Sequence, residues 1–174
     1  MLAPELEKKV ERFSQKFELL NHFEKLFRIE DFDLKHMFGG MALYGHGKML
    51  FCIMEDPTQN FYKDKKFPYP IWNGVLIPTH REYHDQFIKI SKDFKPHPVL
   101  GKWMYIPQTL ENFEELVNKL ILLALKNSDM IGIFPKPKKK SIKKKKAVIK
   151  QPLKKSKAKS KKTQEKISID QHLL

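Results

Sequence analysis

Lysine is concentrated near the C-terminal end of this 174-residue chain. Residues 136–174 contain 16 lysines and two acidic residues, whereas residues 1–135 contain 18 basic and 18 acidic residues. The net charge of +14 therefore belongs to residues 136–174. Such a segment neutralises phosphates and releases their counterions, which predicts salt-sensitive binding to DNA or RNA. The lysines expected to bind nucleic acid are Lys138, Lys139, Lys140, Lys143, Lys144, Lys145, Lys146, Lys154, Lys155, Lys157, Lys159, Lys161 and Lys162.

The composition of this polybasic tail, residues 135–174, predicts backbone binding without sequence specificity. It contains no arginine for bidentate contacts and no Phe, Tyr or Trp for base stacking. It has too few apolar residues to offset the entropy of ordering, so we expect it to be disordered when free. Two other roles fit the same charge, docking to an anionic membrane or simple solubilisation. The apolar end, Ile167–Leu174, is expected to fray, with a short docking peptide as the alternative.

A second candidate surface is a loop in which aromatic and basic residues alternate. Its members are Phe61, Tyr62, Lys63, Lys65 and Lys66. Proteins that bind single strands use such side chains, because rings stack on bases while ammonium groups follow the backbone. The alternative is that Phe61, Tyr62 and Phe67 pack the loop onto the sheet.

Residue types that could support catalysis or metal binding are few. His80 and His84 have the i, i+4 spacing of a shared metal site, but no third ligand is identifiable and no glutamate occupies the position that zinc proteases use between their two histidines. Cys52 lies in an apolar run, where a thiol acts as a small inert hydrophobe. A lone cysteine also excludes an internal disulfide and favours a reducing compartment. We expect no catalytic residue, no metal and no cofactor, and we keep an enzyme or metal binder as the most distant alternative.

Hydrophobic periodicity outlines the elements that would position these residues. Apolar residues from Leu6 to Leu20 at 4-3-4-3 spacing predict a first helix. Residues 36–44 and 48–54, joined by the Gly45-His46-Gly47 turn, predict a β-hairpin with a bulge or a close backbone approach at the paired glycines 39 and 40.

Further elements follow the loop of residues 55–70. We expect a strand over Trp72–Ile77, a helix over His80–Asp93 begun by a Thr79–Glu82 capping box, a strand over Lys102–Ile106 and a last helix ending at Asn127. This order predicts an α+β fold with a small antiparallel sheet and helices packed on one side. The folded domain is expected to cover residues 1–134.

The two predicted hairpin strands carry a distinctive motif. It consists of Met37, Phe38, Gly39 and Gly40, followed by Gly47 and Lys48. This motif resembles the signature of the bacterial TfoX/Sxy N-terminal domain family, and the resemblance extends over residues 5–127. The segment Trp72–Ile77 departs from the family's usual third strand. The resemblance implies an α+β fold and a regulatory or adaptor role connected with competence and transcription, without catalytic residues.

These features together predict a cytoplasmic, non-catalytic adaptor or regulator that associates with nucleic acid through its tail. The folded domain is expected to contact a protein partner, and no transmembrane segment is expected. The alternative is a protein-interaction domain whose tail adjusts solubility or docks to anionic membranes.

Overall fold

A computed structural model describes residues 3–135 of the chain. The predicted nucleic-acid-binding lysines from Lys138 to Lys162 and the segment Ile167–Leu174 lie outside the described residues. Within residues 3–135, no helix combines the length and the apolarity needed to cross a membrane.

A six-stranded antiparallel sheet forms the centre of the described region, which confirms the predicted α+β class. Its strands in spatial order are β1 (Asp33–Met37), β2 (Gly40–Gly45), β3 (Lys48–Asp56), β6 (Trp72–Ile77), β8 (Met104–Pro107) and β7 (Lys95–Pro96). A separate two-stranded ribbon is formed by β4 (Phe61–Tyr62) and β5 (Lys65–Lys66).

The two faces of the sheet bury different sets of side chains, because successive residues of a strand point to opposite faces. Ile53, Val75 and Ile106 lie beside one another on the first face and belong to the main core, which the helices complete. The second face carries a smaller cluster of Cys52, Met54, Leu76 and Tyr105, packed against Tyr69, Trp72, Leu100 and Trp103. With both faces covered, β3 is buried along most of its length.

The first predicted helix is shorter than its hydrophobic pattern indicated. The α-helix α1 spans Pro4–Ser14, and a 3-10 helical segment follows over Glu18–Arg28. Side chains three residues apart eclipse one another in a 3-10 helix. The buried residues at this spacing are Phe17, Leu20, Phe23, Leu26 and Ile29. The spacing of the buried residues therefore changes from the α-helical period to three residues after Phe17, and α1 ends before this change.

The paired glycines mark a turn, and the prediction of one continuous strand with a bulge at this point was wrong. Phe38 and Gly39 have φ values of 53° and 81°, and they connect β1 to β2. Positive φ at both central residues is the requirement of a type I′ hairpin turn. The predicted close backbone approach is confirmed at Gly40, where a Cβ atom would overlap the carbonyl oxygen of Ile53.

The remaining helices differ from the prediction mainly at their ends. A 3-10 turn over Arg81–Tyr83 leads into α2 (His84–Ile90). The capping box is absent because the Thr79 hydroxyl donates a 2.6 Å hydrogen bond to the Met130 carbonyl. The last helix, α3, spans Phe113–Leu125 and is followed by Asn127 in the left-handed conformation, close to the predicted end.

A buried histidine holds two loops to the second face of the sheet. The His97 side chain is 1% exposed, and its Nδ1 accepts hydrogen bonds from the backbone N–H groups of Val99 and Leu100. Its Nε2 therefore carries the proton, which it donates to the Ile71 carbonyl at 2.7 Å. Burial lowers the pKa of His97 below its ordinary value, so the neutral ring is the folded form.

We expect His97 to make the folded state sensitive to mild acid. Its lowered pKa means that the unfolded chain binds more protons, so the free energy of unfolding decreases as the pH falls below about 6.5. Urea unfolding at about pH 7.5 and about pH 5.5 measures this loss of stability. A His97→Gln variant keeps a donor and an acceptor and should lose less stability between the two pH values. Equal losses in both proteins would show that His97 is not the titrating group.

Candidate nucleic-acid interface

The structure brings the predicted aromatic and basic loop residues together in one hairpin. Phe61 lies opposite Lys66, and Tyr62 lies opposite Lys65. Lys63 and Asp64 form the turn between them with φ values of 46° and 59°. We call β4, this turn and β5 the aromatic-basic hairpin.

Most side chains of this hairpin are open to solvent. The Phe61 side chain is 57% exposed, and all three lysines are exposed. Among the described residues, no carboxylate lies within 4 Å of the Nζ atoms of Lys63, Lys65 or Lys66. The Lys63 Nζ lies 5.3 Å from the centroid of the Tyr62 ring, within cation–π range. The hairpin thus presents three unneutralised ammonium groups and one open ring to solvent.

Aromatic packing anchors the C-terminal side of the hairpin, as the packing alternative predicts for Phe67. Its ring centroid lies 6.1 Å from that of Tyr69, which lies 6.0 Å from that of Tyr105. The Tyr105 hydroxyl donates to the Pro70 carbonyl at 2.7 Å and accepts from the backbone N–H of Asn73 at 3.1 Å. Phe61 lies outside this packing, so the loop is partly anchor and partly open surface.

Lys95 extends the basic surface, and the sequence contained no local signal for it. Lys95 lies about thirty residues beyond the hairpin, in β7, and its side chain is exposed. Its Nζ lies 5.6 Å from the centroid of the Tyr69 ring. Because Tyr69 also contacts Phe67, Lys95 becomes a neighbour of the hairpin's anchor only through the fold.

Lys48, in the second half of the motif from Met37 to Lys48, has a structural role. Lys48 is buried, and its Nζ donates a 3.0 Å hydrogen bond to the Asn127 side-chain oxygen. The same Nζ lies 5.6 Å from the centroid of the Phe134 ring, and Met49 forms a backbone bridge with Ile133. Lys48 therefore fastens the segment after α3 to the start of β3, and its position is unsuited to binding a phosphate.

The two histidines considered for metal binding differ in their surroundings. His80 is exposed before α2, whereas the ring Nε2 of His84 makes a 3.0 Å hydrogen bond to the Lys102 carbonyl. In the described part of the chain, no three His, Cys, Asp or Glu side chains are grouped as metal ligands. Burial raises the pKa of the Cys52 thiol to about 12, so this thiol is protonated at neutral pH.

A scan against protein-family models and searches of curated proteins and of solved structures gave no match to this chain. The resemblance to the TfoX/Sxy N-terminal domain therefore stays a prediction that rests on the motif from Met37 to Lys48 and on the order of the elements.

Proposed function

We propose that this protein is a non-catalytic adaptor or regulator that associates with nucleic acid. The observation that carries the proposal is the separation of charge along the chain: residues 136–174 hold 16 lysines and two acids, and the rest is neutral. Lysine-rich segments bind phosphate backbones through counterion release, independently of base sequence. A regulatory role also agrees with what the family resemblance implies.

The aromatic-basic hairpin adds a second contact of a different kind. Its ammonium groups match a phosphate backbone, and the open Phe61 ring offers a stacking platform that a duplex cannot use. Stacking on one aromatic side chain contributes about 1–3 kcal/mol per base. We therefore propose that the tail supplies general affinity and that the hairpin favours single-stranded segments.

Substitution of the hairpin tests this division of roles. In the full chain, we would replace Lys63, Lys65 and Lys66 by Gln and Phe61 by Ser, and measure fluorescence anisotropy of labelled single-stranded RNA. The loss of one stack and three charges is expected to weaken this binding about tenfold, with a smaller effect on duplex DNA.

The matched control changes the same number of charges elsewhere on the domain. Lys8, Lys25 and Lys92 are all exposed, and replacing them by Gln removes three positive charges outside the hairpin. If this control weakens RNA binding as much as the hairpin variant does, the hairpin has no specific role. Binding of the full chain to anionic vesicles but not to RNA or DNA would instead support the alternative of membrane docking.

A further inference from the structure

A cleft of about 450 Å³ opens at one end of the main sheet. The ends of four neighbouring strands meet there, because the β1–β2 turn lies at the same end of the sheet as Asp56 of β3 and its paired residue Trp72 of β6. The lining combines apolar side chains, among them Phe38, Trp72 and Leu100, with the acidic residue Asp56. A volume in this range is typical of ligand pockets.

Phe38 occupies its position in this cleft against its conformational preference. Its φ of 53° is left-handed, a conformation that costs a non-glycine residue about 1–2 kcal/mol. Burial of the ring does not offset this conformational cost, since 69% of the side chain is exposed. An asparagine or glycine would form the same turn with less strain. A strained and exposed aromatic residue beside a cleft is therefore a candidate for ligand contact.

The carboxylate of Asp56 has neutral hydrogen-bond partners. It accepts from the backbone N–H of Thr58 at 3.0 Å and from Gln59 Nε2 at 3.2 Å. The Glu55 carboxylate lies on the opposite face of β3, where it accepts from the backbone N–H of Leu19 at 2.7 Å. Within residues 3–135, no lysine or arginine nitrogen lies within 4 Å of the Asp56 carboxylate. A negative charge beside aromatic rings therefore lacks a compensating cation in the described region, and a positively charged ligand would supply one.

We propose that this cleft binds the side chain of a lysine, free or methylated, on a partner protein. The apolar walls suit the four-carbon stem, and the Asp56 carboxylate and the aromatic rings suit the ammonium group. The proposal rests on the cleft alone, so it concerns a second interaction that is independent of nucleic-acid binding.

The test is an NMR titration of the isotope-labelled full chain with two probes. Nα-acetyl-lysine amide carries the ammonium group, in unmethylated or trimethylated form, and Nα-acetyl-norleucine amide has a similar stem without the charge. We expect one of the lysine forms to shift the Gly39 amide and the Trp72 indole signals, and to bind at least about fivefold more tightly than norleucine.

Two variants locate the site, and a third is the control. Phe38→Asn removes the ring while favouring the turn, and Asp56→Asn removes one charge; each should weaken lysine binding about fivefold. Phe134→Ser removes an equally exposed ring near Gly47, at the opposite end of β3, and should leave binding unchanged.

Several results would overturn the proposal. These are equal binding of the lysine and norleucine probes, no binding of either lysine form at millimolar concentrations, and unchanged lysine binding by a folded Phe38→Asn variant. The melting temperature of that variant, expected to be at least that of the native chain, shows that it is folded. None of these results bears on DNA or RNA binding, so the two proposals can fail separately.

Discussion

Truncation after Phe134 is expected to weaken binding to duplex DNA at least about a hundredfold at moderate salt. The truncated chain loses all 16 lysines of residues 136–174 and keeps a body with equal numbers of acidic and basic residues. Without an excess of positive charge, little counterion release remains to favour association. Fluorescence anisotropy of a labelled duplex with the full and truncated chains gives the two affinities directly.

The truncation should leave the folded region intact, which makes the comparison a fair one. Within residues 3–135, the last buried apolar side chain is Ile131, and the backbone bridge between Met49 and Ile133 lies before the cut. Equal melting temperatures of the two chains would verify this. If the truncated chain were folded and still bound duplex DNA as tightly as the full chain, the assignment of binding to the tail would be wrong.

Replacing Gly40 by alanine is expected to destabilise the domain by about 3 kcal/mol, at the upper end of the range for overpacked sites. The added Cβ would overlap the Ile53 carbonyl oxygen and the Met54 sulfur. The methionine side chain can move, but the Ile53 backbone is fixed because β3 pairs with β2 on one side and β6 on the other. Urea unfolding of the native chain and the Gly40→Ala variant measures the difference.

The neighbouring glycine provides a matched control for this substitution. A Cβ on Gly39 would meet nothing within 4 Å, so Gly39→Ala adds only the strain of a left-handed residue at φ 81°, about 1–2 kcal/mol. The loss of stability should therefore be greater at Gly40 than at Gly39. A Gly40→Ala variant as stable as Gly39→Ala would contradict the close packing of β2 on β3.

The sheet can be predicted from the sequence where each strand has a strong local pattern. The apolar run of β3 and the segment Trp72–Ile77, which contains several residues common in strands, are predicted correctly for this reason. The short strands β4, β5 and β7 are not, because two residues show no periodicity and their pairing depends on partners brought by the fold. The 3-10 segment does have a local signal, the three-residue spacing from Phe17 to Ile29, which α-helical templates obscure.

The candidate sites differ in the same way. The aromatic-basic hairpin is contiguous in sequence, so its residue types alone indicate a binding surface. The cleft joins Phe38, Asp56, Trp72 and Leu100 from separate segments, and only the register of three strands brings them together. His97 likewise lies between two prolines in a segment without periodicity. Its ring forms a hydrogen bond with the Ile71 carbonyl, 26 residues earlier in the chain, and the sequence shows no sign of this contact.

Backbone recognition by the lysine tail is tested most directly by the salt dependence of binding of the full chain to two duplexes of unrelated sequence. If about eight lysines contact phosphates, the logarithm of the binding constant should fall against the logarithm of salt concentration with a slope of about −7. We expect this slope, and similar affinities, for both duplexes. A slope near zero, or strong binding to one sequence only, would contradict backbone recognition by the lysine tail.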